Sequence, residues 1–183
     1  MTPRLAPLDP PYAEPIAATL ASMMPPGMPP LRLFRTIAHN PRVLEKIRAS
    51  NLLDRGSLER RHREIAILRA TARCRCEYEW GVHVAFFAAK VGLGAAEVAA
   101  TVHGGPDHPV WSERERTLIR LVDELHDTSA LSDALWAELR SHWSDEQLVE
   151  LVVLAGFYHT ISFIVNGLGV ELEPGAPRFP PIP

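Results

Sequence analysis

Apolar residues recur along most of this chain with the period of a helix. Over 31–39, Leu31, Phe34 and Ile37 share one face, and Pro41 suits the first turn of a following helix that runs to about Ser50. Ser57 reads as the N-cap of a helix carrying Glu64, on whose face Ile67, Leu68 and Thr71 also fall. A break near Arg73–Arg75 precedes a second helix, Cys76 to Val91, closed by Gly92. Gly94 to His103 predicts a short helix ended by the turn HGGPDHP. Ser112 with Glu115, and Ser144 with Gln147, are capping-box patterns. They open helices reaching about Asp127 and Gly167. Between these, Asp133–His142 is a helix with Trp136 and Leu139 facing inward. No segment of period two is flanked by hairpin signals, so the expected class is all-α, with short connections that let adjacent helices pack as hairpins.

The ends depart from this pattern. Residues 1–15 hold five prolines and little periodicity. Residues 1–30 are expected to form an extended arm that wraps the domain or a partner subunit, with one short helix between Tyr12 and Met24. Residues 31–174 form the helical domain, and 175–183 a proline-rich tail. The longest apolar run, Leu148 to Val165, is interrupted by Glu150, His159 and Ser162. A membrane span needs about 20 mostly apolar residues. The run is therefore read as a buried core helix, and no membrane partner is expected.

Composition narrows the picture. With 183 residues, 46% hydrophobic and 22% charged, the chain suits one soluble domain. A net charge of -3, a pI near 6.2 and scattered basic residues offer no footprint for nucleic acid. The cluster Arg60, Arg61, Arg63 reads as the wet side of a helix. The two cysteines, Cys74 and Cys76, cannot staple a secreted scaffold, and the N-terminus lacks an apolar core of signal-peptide length. A reducing, cytoplasmic location is expected.

The chemistry concentrates in 64–92. Cys76, Glu79 and His83 are spaced by three and four, so they share a helix face with Trp80 and Phe87 close by. Burying a thiol, a carboxylate and an imidazole on an apolar stripe is expensive. Glu79 and His83 are either a structural network or a proton-transfer device, with Glu64 as a second carboxylate. Cys76 is either a small buried hydrophobe or, at a helix N-terminus near an imidazolium, a nucleophile. His159, Ser162 and Asn166 repeat the spacing on the last helix. With Tyr158, they are candidates to line the same pocket, as is Trp80. No H-E-x-x-H motif, second Cys/His cluster of ligand spacing or phosphate-binding glycine loop occurs, and His103 and His108 lack a third ligand. Neither a metal nor a cofactor is expected.

The segment Glu64–Gly92 resembles the signature of the carboxymuconolactone decarboxylase family, which includes the alkylhydroperoxidase D-like proteins. The family's peroxidase branch carries a Glu, a Cys twelve residues on, a second Cys three residues later and a His four after that. These positions fall on Glu64, Cys76, Glu79 and His83. The departure is Glu79 in place of the second cysteine, so the disulfide step of a peroxidase cycle cannot close within the helix. Glu79-Trp80-Gly81-Val82-His83 is similar to the acidic form of the decarboxylase branch. The stretches CEYEWGVHV, WSERERTLIRLVDELHD and FYHTISFIVNGLGVELEP extend the likeness over most of 30–174. The resemblance implies an alkylhydroperoxidase D-like helical bundle that assembles as a homo-oligomer. It also implies a cofactor-free enzyme performing acid/base chemistry, decarboxylation or isomerisation, on a small organic acid or lactone. His83 would move the proton, with Glu79 and Glu64 tuning it. The alternatives are a thiol peroxidase using Cys76 and a non-catalytic, oligomeric small-molecule-binding protein.

Overall fold

A computed structural model describes residues 3–50 and 52–181, and among these no β-strand occurs. The outermost residues of the expected arm and tail lie outside them. The helices are α1 (Ile16–Ser22), α2 (Arg32–Ile37), α3 (Pro41–Ala49), α4 (Arg60–Arg73), α5 (Glu77–His83), α6 (Ala95–His103), α7 (Glu113–Thr128), α8 (Asp133–His142) and α9 (Asp145–Leu168). The all-α bundle is as expected from the helical period.

The centre of the bundle is α4. From His62 to Thr71 its entire circumference is buried, because α5, α6, α7 and α9 pack around it. A helix wrapped on all sides has no amphipathic stripe, so its polar residues are forced inward and must find partners. The capping boxes at Ser112/Glu115 and Ser144/Gln147 form as the sequence predicts. Asn40 caps α3, with Pro41 in the first turn.

Several local expectations are corrected. Ser57 does not cap α4, which begins at Arg60; its N–H and hydroxyl both donate to Glu150 Oε2 at 2.6 Å. Trp136 faces outward, while Leu139 is fully buried. Nor is α9 buried all round. Leu148, Leu151, Leu154, Tyr158, Ile161 and Val165 enter the core, but Val149, Val153 and Phe163 are exposed. By length and composition alone α9 could cross a membrane, but its inward face is committed to the core.

The helix predicted from Cys76 to Val91 is continuous but changes pitch. It is α-helical to His83, becomes a π turn over Val84–Ala88, and closes through a short 3-10 turn at left-handed Gly92. Such π turns often mark functional positions. The described residues of the arm and of the tail lie against the bundle. Arg4 N–H donates to Leu168 O at 3.0 Å, and Leu8 N–H to Arg35 O at 3.2 Å. The tail crosses α5: Phe179 stacks edge-on against Trp80, and a Cβ at Gly81 would lie 2.3 Å from Pro177 O. Glycine at 81 thus permits the tail's close approach.

Candidate active site

Glu64 from α4, His83 from α5 and Tyr158 from α9 meet in the interior. His83 Nδ1 lies 2.7 Å from Glu64 Oε2, and His83 Nε2 lies 3.0 Å from the Tyr158 hydroxyl. Glu79, one turn before His83, places Oε1 3.6 Å from the same Nε2, an ion-pair distance beyond hydrogen bonding. Arg63 Nε donates to Glu64 Oε1 at 3.3 Å, and its Nη1 donates to the Leu53 and Asp54 carbonyls at 2.9 and 3.2 Å. Arg63, only 6% exposed, is part of the buried network rather than the wet side of its helix. The one local signal was its place next to Glu64, just ahead of the apolar run Ile65–Leu68.

This chain of partners sets the state of His83. Burial alone would pull its pKa down. The Glu64 hydrogen bond and the charges of Glu64 and Glu79 outweigh burial and raise it to about 9. At neutral pH the ring is therefore an imidazolium, donating from Nδ1 to Glu64 and from Nε2 to the Tyr158 oxygen. Two cations, Arg63 and His83, then face two carboxylates, which makes a closed group of charges tolerable in the interior. The Tyr158 phenol is held well above its usual range by burial and by Glu79 and Glu64, so it stays protonated.

The chain of contacts opens at one end. Glu79 and Tyr158 line a cavity of about 210 Å³, walled by Leu33 and Phe34 of α2, Ile47 and Arg48 of α3, and Phe157 and Ile161 of α9. Glu79 Oε2 is buried and has no hydrogen-bond partner. A carboxylate oxygen in that position needs a donor, and the cavity beside it is where one can come from. His83 and Glu64 do not line the hollow; they stand behind Glu79 and Tyr158. Two larger hollows, about 410 and 710 Å³, lie beside the tail and touch neither group. Their size does not make them the reactive place: their acidic residues face arginines, and neither is lined by an imidazole.

The other candidates sit elsewhere. The Cys76 side chain is fully buried at the start of α5. Burial pushes its thiol up to about 12, outweighing the backbone N–H of Glu79 and the nearby Ser162 hydroxyl. Trp80 turns away from the cavity, donating from Nε1 to Thr101 Oγ1 at 3.0 Å. Asn166 donates to the Cys74 carbonyl at 2.9 Å and borders the 710 Å³ hollow. His159 meets His126 of α7, with Nε2 2.9 Å from Nδ1, beside the Cys74 thiol. Linear spacing offers no second Cys/His cluster, yet the fold builds one from three helices.

The all-helical bundle has the alkylhydroperoxidase D-like fold. Residues 41–123, which include Glu64, Cys76, Glu79 and His83, match the model of the Carboxymuconolactone decarboxylase family. Among solved structures, an uncharacterized peroxidase-related protein from Silicibacter sp. TM1040 aligns with a TM-score of 0.78 at 17% identity, covering 94% of this chain and 95% of the other. An uncharacterized peroxidase-related protein from Ralstonia eutropha JMP134, with an alkylhydroperoxidase AhpD core, aligns at 0.76 and 19% identity, covering 92% and 93%. The debrominase Bmp8 aligns at 0.73 and 16% identity, covering 92% and 91%. At such identities the likeness is one of fold. No protein of curated function matches the sequence.

Proposed function

We propose that this protein is a cofactor-free acid/base enzyme that relocates a proton on a small organic acid or lactone, in an isomerisation or a decarboxylation. The observation that carries the reading is the unpartnered, buried Glu79 Oε2 at the cavity wall, backed by a protonated His83. Glu79 is the base, taking a proton from a carbon next to a carbonyl. Tyr158, whose oxygen accepts from the imidazolium, is left free to turn its own proton toward the developing oxyanion. In a decarboxylation the bond to the departing carbon dioxide breaks, its electron pair passes to the conjugated carbonyl, and the acid end of the network protonates the carbon. Glu64 and Arg63 touch no substrate; they are positioning residues that keep His83 charged. A cavity of 210 Å³ is below the ~300–1,000 Å³ of drug-sized ligand sites, which suits a small substrate.

The thiol-peroxidase alternative is opposed by the sealed, raised Cys76 thiol and by Glu79 standing where a resolving cysteine would be needed. A non-catalytic small-molecule-binding protein would use the same cavity beside Glu79, and proton exchange separates it from the enzyme. A homo-oligomer is part of the reading, supported by the apolar outer face of α9, where Val149 and Phe163 are 66% and 69% exposed.

The test is proton exchange in D2O, followed by proton NMR, on a panel of small lactone acids and keto acids. The reading expects deuterium at the carbon next to the carbonyl with the native protein and none with Glu79→Gln. Equal incorporation by that variant removes Glu79 as the base. Hydroperoxide-dependent loss of a thiol, blocked by Cys76→Ser, favours the peroxidase instead.

A further inference from the structure

We infer that Cys74, His126 and His159 form a binding site for a divalent cation of the zinc class. The three side chains come from the C-terminal end of α4, from α7 and from α9. One ligand atom of each, the Cys74 Sγ, His126 Nδ1 and His159 Nε2, lies within 4.8 Å of the other two. The Sγ to Nδ1 distance is 3.8 Å and the Nδ1 to Nε2 distance is 2.9 Å. Bonds of about 2.05 Å to nitrogen and 2.3 Å to sulfur at tetrahedral angles give N···N and S···N edges of about 3.3 and 3.5 Å. The observed edges fall on either side of these values, within reach of small side-chain rotations.

The surroundings orient the ligands. His159 Nδ1 lies 2.8 Å from the Ala155 carbonyl and donates to it. That fixes the tautomer and leaves the Nε2 lone pair aimed at the cluster, as an outer carbonyl does for metal-binding histidines. In the metal-free protein His126 supplies the one proton between the two rings. With a cation present it carries that proton on Nε2 and offers Nδ1. The Cys74 backbone is anchored on both sides, its N–H donating to Ala70 O at 3.0 Å and its carbonyl accepting from Asn166. Arg75, at φ 53°, turns the chain between Cys74 and Cys76. Cys74 thereby joins α7 and α9, while Cys76 enters the core. All three ligands are half-buried, so a cation can enter from solvent, and three protein ligands leave a fourth position to water. One thiolate with two imidazoles suits a borderline-soft ion rather than calcium or magnesium.

Cobalt(II) titration of the full chain, under reducing conditions, tests the site. One equivalent is expected to produce a thiolate-to-cobalt charge-transfer band and the intense visible bands of four-coordinate cobalt. One equivalent of zinc should bleach both. Cys74→Ser should abolish the charge-transfer band, and His126→Ala with His159→Ala should weaken binding at least tenfold, while Cys76→Ser keeps the full signal. The unaltered protein gives a check free of any folding defect: zinc should protect Cys74 from alkylation, as read by peptide mass spectrometry. No thiolate band, a band lost in Cys76→Ser instead, or a Cys74 alkylated equally fast with and without zinc overturns the inference.

Discussion

Two polar clusters flank the turn between α4 and α5, and they differ in how their charge is satisfied. The inner one, Arg63–Glu64–His83 with Glu79 and Tyr158, lies in the core, meets the cavity only at Glu79 and Tyr158, and holds its ions in opposed pairs. The outer one, Cys74 with His126 and His159, is half-exposed and made of groups that can all be neutral. In the interior, removing one ion strands another, so each member of the inner set is tied to the next. Near the surface, water tolerates rearrangement, and the same residue types are free to accept a cation. Two cysteines two positions apart thus enter opposite environments, because left-handed Arg75 turns the backbone between them.

The largest effect that can break this contrast is on the inner side. Glu64→Ala leaves a buried imidazolium without its hydrogen-bond partner. It should destabilise the fold by about 3–5 kcal/mol, read from chemical denaturation. A loss under about 1 kcal/mol would mean the inner cluster is not held as paired ions. His83→Ala should likewise abolish turnover, and because it strands Glu64 it should also lower stability rather than leave the fold untouched.

Next comes pH. The folded-state pKa of His83, about 9, lies above the usual 6.5. Its contribution is therefore complete below about pH 6.5 and disappears as the pH rises through 9. Over that window the native protein should lose about 3 kcal/mol, because each tenfold gain in proton affinity on folding is worth about 1.36 kcal/mol. His83→Gln should flatten the profile there.

Glu79→Gln separates function from folding. Its Oε2 has no partner to lose, but the change removes one of the two carboxylates facing His83, so stability should fall by less than in Glu64→Ala, which also loses a hydrogen bond, while turnover falls by about 10²–10⁴-fold. The smallest effect sharpens the contrast between the thiols. Cys74, half-buried, should alkylate readily in the native protein, whereas Cys76, fully buried, should react only on unfolding.

Much of the fold was readable from helical period and caps: the limits of α3, α7, α8 and α9 follow from Pro41, Ser112, Asp133 and Ser144 within a residue or two. What escaped was non-local. Ser57 looked like a cap because nothing in its vicinity reveals Glu150, 93 residues away, which takes both its donors. Trp136 looked inward because period alone does not say how wide the buried stripe of α8 is. In the site, Glu64, Glu79 and His83 were legible as acid and imidazole at helical spacing, and the contact between Tyr158 and His83 adds the phenol from α9. The buried role of Arg63 was masked by its basic neighbours. The partnership of His159 with His126 depends on how α7 meets α9, which no spacing in one segment encodes.

The account rests on His83 being held as a cation at neutral pH by the carboxylates around it. Long-range proton–nitrogen correlation NMR on protein labelled with ¹⁵N in histidine, assigned through His83→Gln, reads this directly. The account predicts that both ring nitrogens of His83 carry protons at pH 7.5 and that the ring titrates near pH 9. A neutral ring at pH 7.5, titrating below 6.5, would contradict it.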